Sequence, residues 1–147
     1  MAPTFAGLSM LLTPLAFGAL GEDATSVQKD AENLGAQKII QSFSHYSRHD
    51  ISNQWLGIHE FVGKDGKVFA LTWHGNKHPD FKNLLGSHFA EFQAAIAQAR
   101  RQRIHGGASI VEQGNLHLEI GGRMRSVYGK VWLTDKIPAG VEPHEFQ

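Results

Sequence analysis

The stretch from Asp65 to Phe92, DGKVFALTWHGNKHPDFKNLLGSHFAEF, constrains the fold more than any other part of the chain because its apolar periodicity changes once within it. Up to His74 the residues are aromatic and branched in a short run, the signature of a strand. From Pro79-Asp80 onward, Phe81, Leu84, Leu85, Phe89, Phe92 and Ile96 recur at three- and four-residue steps. That spacing makes one apolar stripe on a helix reaching to about Arg101. Asp80 suits an N-cap, because its carboxylate accepts from the free N–H groups of the first turn. Arg100, Arg101 and Arg103 lie where cations complement the negative end of the helix dipole. A strand followed directly by a one-striped helix implies that the helix covers the sheet.

The remaining strands follow from the same patterns. Gln54 to Val62 and Lys67 to His74 flank Gly63-Lys64-Asp65-Gly66. A three-residue loop with Gly66 left-handed pairs Val62 with Val68. Strict alternation then puts Trp55, Phe61, Phe69, Leu71 and Trp73 on one face, and register follows the buried face. Gln37 to Ile51 reads as one extended segment. Ser109 to Glu112, Leu116 to Ile120 and Met124 to Leu133 form a second unit, with turns expected at Gly114-Asn115 and Gly121-Gly122. Pairing Ile120 with Met124 sets Glu119 opposite Arg125 and turns Arg123 and Arg125 away from the core. Ala24 to Leu34 reads as a short helix with capping-box spacing between Thr25 and Gln28 and with Gly35 at its C′ position. The tail from Ile137 looks irregular. The expected class is α+β: antiparallel β-meander units, one long amphipathic helix packed on the sheet, and a short N-terminal helix.

A chain of 147 residues, 41% hydrophobic and 19% charged, suggests a single domain. Its 14 basic and 14 acidic residues balance to a formal charge of +0, which argues against nucleic-acid binding, since that needs a basic face. Met1 to Ala19 is apolar from Phe5 to Phe17 and ends in small residues, the layout of a secretory signal peptide. The expected division is residues 1–18 as signal peptide and 19–147 as the domain; a buried N-terminal helix is the other reading. The apolar run is too short to span a membrane, which needs about 20 residues. The chain has no cysteine, hence no disulfide and no lipid-anchored cysteine.

Several pieces in order resemble the domain-of-unknown-function family 2844, small exported proteins of Gram-negative bacteria. They are Leu20-Gly21-Glu22-Asp23, Tyr46-Ser47-Arg48-His49-Asp50, His59-Glu60-Phe61-Val62, Gly66-Lys67-Val68-Phe69-Ala70 with Trp73, Pro79-Asp80-Phe81, Gly121-Gly122-Arg123-Met124-Arg125, and Pro138-Ala139-Gly140-Val141. The resemblance implies export, to the periplasm or beyond the cell, and a shared fold. It implies no activity.

No cofactor motif stands in the chain: there is no phosphate-binding glycine loop, dinucleotide fingerprint or nucleophile elbow. Nine histidines invite a metal reading, but His74 and His78 lack a completing ligand set, and surface titration near neutrality is the simpler account. Candidate binding residues are Tyr46, His49, Glu60, Arg123 and Arg125. These support an exported, non-enzymatic accessory protein that binds an envelope partner, a carrier of a small apolar ligand, or a periplasmic hydrolase in which His49 works with Asp50 or Glu60.

Overall fold

The computed structural model describes residues 20–24, 35–102 and 108–147. The expected signal peptide, and the expected Ala24–Leu34 helix apart from Ala24, lie outside the described residues. The strands are β1 (Gln37–Ser42), β2 (Tyr46–Ser52), β3 (Leu56–Gly63), β4 (Val68–Gly75), β5 (Ser109–Gln113), β6 (Leu116–Arg123) and β7 (Ser126–Leu133). Between β4 and β5 lie α1 (Phe81–Leu85), a 3₁₀ turn (Gly86–His88) and α2 (Phe89–Gln102). All seven strands form one antiparallel sheet in the order β1-β2-β3-β4-β7-β6-β5. The chain is thus α+β, with the two expected meander units joined through β4 and β7 into one continuous sheet. The extended segment Gln37–Ile51 is a hairpin, folded back by Phe43 N–H donating to the Tyr46 carbonyl.

The Asp80 cap forms as its sequence suggests: its carboxylate accepts from the Asn83 backbone N–H at 3.3 Å and the Asn83 side-chain amide at 2.7 Å. The single expected helix is interrupted at Gly86, which has φ 47 and splits α1 from α2. Leu84, Leu85, Phe92, Ala95 and Ala99 still form the buried stripe. They pack on the sheet face carrying Ile51, Ile58, Val62, Leu71, Trp73, Leu118 and Val131.

The aromatic face is not the one that strict alternation predicts. Gly66 is left-handed (φ 80) and Val62 pairs with Val68 as expected. One step further, Phe61 pairs with Ala70, so β4 carries an extra residue. This bulge reverses the parity on one side of it. Leu71 and Trp73 face the helix, whereas Phe61, Phe69 and Ala70 face the other way. Trp55 lies outside the strands and is half exposed.

The second face has its own small core. Tyr46, Phe61, Phe69, Ala70 and Trp132 are covered by Val141 and Phe146 of the tail. The tail ends in a short 3₁₀ turn, Pro143–Glu145, held by a reciprocal capping box between Glu142 and Glu145. Both sides of the sheet are therefore covered in part, one by helices and the other by the last residues of the chain.

Candidate functional site

At the end of the sheet where β6 turns into β7, an open cleft of about 820 Å³ separates α2 from the β6–β7 hairpin. Its floor is apolar: Phe81 from α1, Phe92 and Ile96 from α2, Ile120 from β6 and Val127 from β7. Phe81 and Phe92 lie 4.6 Å apart with their rings tilted by 39°, and Trp73 meets both edge-on, at 5.0 and 6.4 Å. Arg100, Arg123, Arg125, His78 and Met124 also line the cleft. Among the described residues, no carboxylate lines the cleft. Among the described residues, none of the three arginines forms an ion pair.

The hairpin that delivers Arg123 and Arg125 differs from the expected one. Gly121-Gly122 lies inside β6, and the turn falls at Met124-Arg125, between paired Arg123 and Ser126. Gly121 is needed as a seat: a Cβ there would meet the Tyr128 hydroxyl at 2.5 Å, so the phenol lies flat on the strand. The resulting register puts Glu119 opposite Lys130 in place of Arg125, with Lys130 Nζ to Glu119 Oε2 at 3.0 Å. Arg123 and Arg125 stand at the end of this hairpin, and both line the cleft. Arg125 has φ 62, a left-handed conformation that costs a non-glycine residue energy.

The other candidate residues divide between the two faces. Tyr46 is buried in the second core against Phe61 and Phe69, at 5.6 and 6.1 Å. Burial raises the pKa of its phenol, with Glu145 acting in the same direction and Arg48 against it. His49 and Asp50 are consecutive on β2 and project to opposite faces, so they do not act on one group together. His49 and Glu60 are direct cross-strand partners. His49 is 8% exposed and Glu60 is fully buried. His49 Nε2 lies 3.3 Å from Ser47 Oγ, and His49 Nδ1 has no hydrogen-bond partner among the described residues. Neither His49 nor Glu60 lines the cleft. On the other face Asp50 accepts from Arg48 Nε at 2.7 Å and lies 2.6 Å from His59 Nδ1. Burial opposes its ionisation, but the hydrogen bonds from Arg48 and His59 prevail and hold its carboxyl below the ordinary carboxylate value.

Burial, with Lys38 in support and Asp50 opposing, lowers the pKa of His49 below the ordinary 6.5. The folded chain therefore resists a proton that the unfolded chain accepts. Stability is present above pH 6.5 and is lost as the pH falls through the depressed value. The depressed Asp50 pKa adds a further loss below the ordinary 3.8. Urea midpoints should fall between about pH 7 and about pH 5, and His49→Gln should flatten that decline. An equal decline in the variant would assign it to other groups.

Sequence reasoning places Arg123 and Arg125 among the binding candidates but misses the cleft. Phe81, Phe92 and Ile96 read as one core stripe, and Arg100 as a partner of the helix dipole. The break at Gly86 and the placement of β6–β7 beside α2 leave part of that stripe open. Among the described residues no group of three or more His, Asp or Glu side chains could hold a metal ion, and no helix is long and apolar enough to cross a membrane.

A single antiparallel sheet, helices on one face, a folded-back tail on the other and a cleft lined by arginines define a small α+β protein. The chain belongs to a family described as protein of unknown function (DUF2844), which matches residues 16–146. Comparison with curated proteins finds no match, and comparison with solved structures finds none.

Proposed function

We propose that this is an exported, non-enzymatic binding protein that holds an apolar ligand in the cleft between α2 and the β6–β7 hairpin. The observation that carries this reading is the partly uncovered floor of Phe81, Ile96, Ile120 and Val127, continuous with the core yet open to solvent. Concave apolar surface with a few convergent polar groups is the usual form of a small-molecule site. The signal-like Met1–Ala19 supports export.

The test is titration with phenylnaphthylamine, a neutral dye that fluoresces in apolar surroundings. Saturable binding is expected. Ala97 is exposed and lines the cleft, so Ala97→Trp fills it without touching the core. That variant should abolish dye binding and leave the urea midpoint in place. Unchanged dye binding in Ala97→Trp would overturn the reading. Intact Met1 on protein from the native host would overturn export.

A second reading, an accessory protein that docks an envelope partner, draws on the edge strand β1. Ile39 and Ile40 there are 58% and 57% exposed on opposite faces; among the described residues β1 is an edge strand, and an edge strand can take an added strand. One dominant cross-linked partner, lost on Ile39→Lys, would favour it over the carrier.

A further inference from the structure

The geometry points to a single-chain amphiphile with an anionic head as the ligand of the cleft, the chain lying on the apolar floor and the head held by Arg123 and Arg125. This rests on the cleft being a ligand site at all. Three independent features carry it.

The first is charge. Arg100, Arg123 and Arg125 share one cleft, and among the described residues no carboxylate lines it. Surface cations commonly find a carboxylate; in this molecule Arg48 and Lys130 do so. The guanidinia at the cleft have no such partner among the described residues, so their donors are available to an incoming anion. Arg100 also complements the C-terminal end of α2. Arg123 and Arg125 stand on a hairpin end where no helix dipole explains them.

The second is the turn. A two-residue hairpin turn favours glycine or asparagine where φ is positive, yet Met124-Arg125 occupies it with Arg125 at φ 62. Met124 is 95% exposed. A turn built from a long apolar side chain and a strained arginine gives up local stability, and such strain gathers at ligand clamps. The unbranched methionine can fold over an apolar chain.

The third is shape. The same cleft is lined by aromatic and aliphatic residues and by three arginines. That combination matches a molecule with an apolar body and an anionic group. A sugar or nucleotide, polar along its length, would leave the floor unused. A cationic amphiphile would meet like charge.

The experiment is displacement of bound phenylnaphthylamine by decanoate, decanol and decyltrimethylammonium, in wild type and in the double variant Arg123→Gln, Arg125→Gln. Decanoate should displace the dye at concentrations on the order of tenfold lower than decanol, and the cation should be weakest. The double variant should lose the preference for decanoate while binding decanol as before, and added salt should narrow the gap in wild type. Equal potency of decanoate and decanol overturns the anionic head and leaves the apolar cleft standing. Displacement by none of the three, with dye still bound, overturns the single-chain amphiphile. No dye binding at all defeats the cleft reading itself. Co-sedimentation with phosphatidylglycerol vesicles, without decanoate displacement, would assign the arginines to a bilayer surface and overturn the free amphiphile.

Discussion

Trp73→Ala should lower the unfolding free energy by about 3–5 kcal/mol, read as a fall in the urea midpoint at unchanged slope. Trp73 is 3% exposed and joins three elements. Its ring occupies the space above Gly129 of β7, where a Cβ would meet Cζ2 at 2.3 Å, and its edges meet Phe81 of α1 and Phe92 of α2. Truncation removes the wedge between sheet and helices, and the glycine opposite cannot fill the gap. The indole Nε1 is buried without a hydrogen-bond partner among the described residues. That burial is unfavourable, so Trp73→Phe should recover much of the loss. A midpoint unchanged in Trp73→Ala would refute this packing.

Phe146→Ala should cost a comparable amount, about 3–5 kcal/mol, although it is the penultimate residue of the chain. Terminal residues are usually dispensable. Phe146 is 2% exposed and meets Phe61, Phe69 and Trp132 at 5.1, 5.6 and 5.8 Å. Its loss opens the second core from the solvent side. Circular dichroism in the aromatic region should weaken together with the urea midpoint, and Phe146→Leu should retain most of both. Wild-type stability in Phe146→Ala would show that the tail does not serve as the lid of this core.

Much of the fold was legible because its signals are local. Asp80 caps, Gly66 turns and the strands begin near their expected residues, each dictated by a few neighbours in sequence. The errors share a different origin. Strict alternation groups Phe61 and Phe69 with Trp73 because it is the only parity a sequence displays, and the bulge at β4 becomes visible only when β3 is laid beside it. Gly121-Gly122 resembles a turn because glycine permits tight backbone, but Gly121 answers a different demand, the flat phenol of Tyr128 on the next strand. The core role of Val141 and Phe146 has no sequence signal, because a short apolar pair in a proline-containing tail has no period. The cleft was illegible for the same reason. Arg123 and Arg125 could be singled out, but their company with Arg100 and Ile96 depends on a crossover between distant segments.

That crossover bears on how the molecule assembles. Every pairing in the sheet joins consecutive strands except β4 with β7, where Gly75 meets Val127. The hairpins on either side close short loops, which is fast. The β4–β7 junction must await closure of a loop containing the helices and two more strands, so it carries most of the topological delay in folding. The intervening segment acts as a tether, setting the effective concentration at which one half of the sheet meets the other. Should the junction open, two central strand edges are bared together, and the same complementarity that closes one chain on itself becomes available to a neighbouring copy.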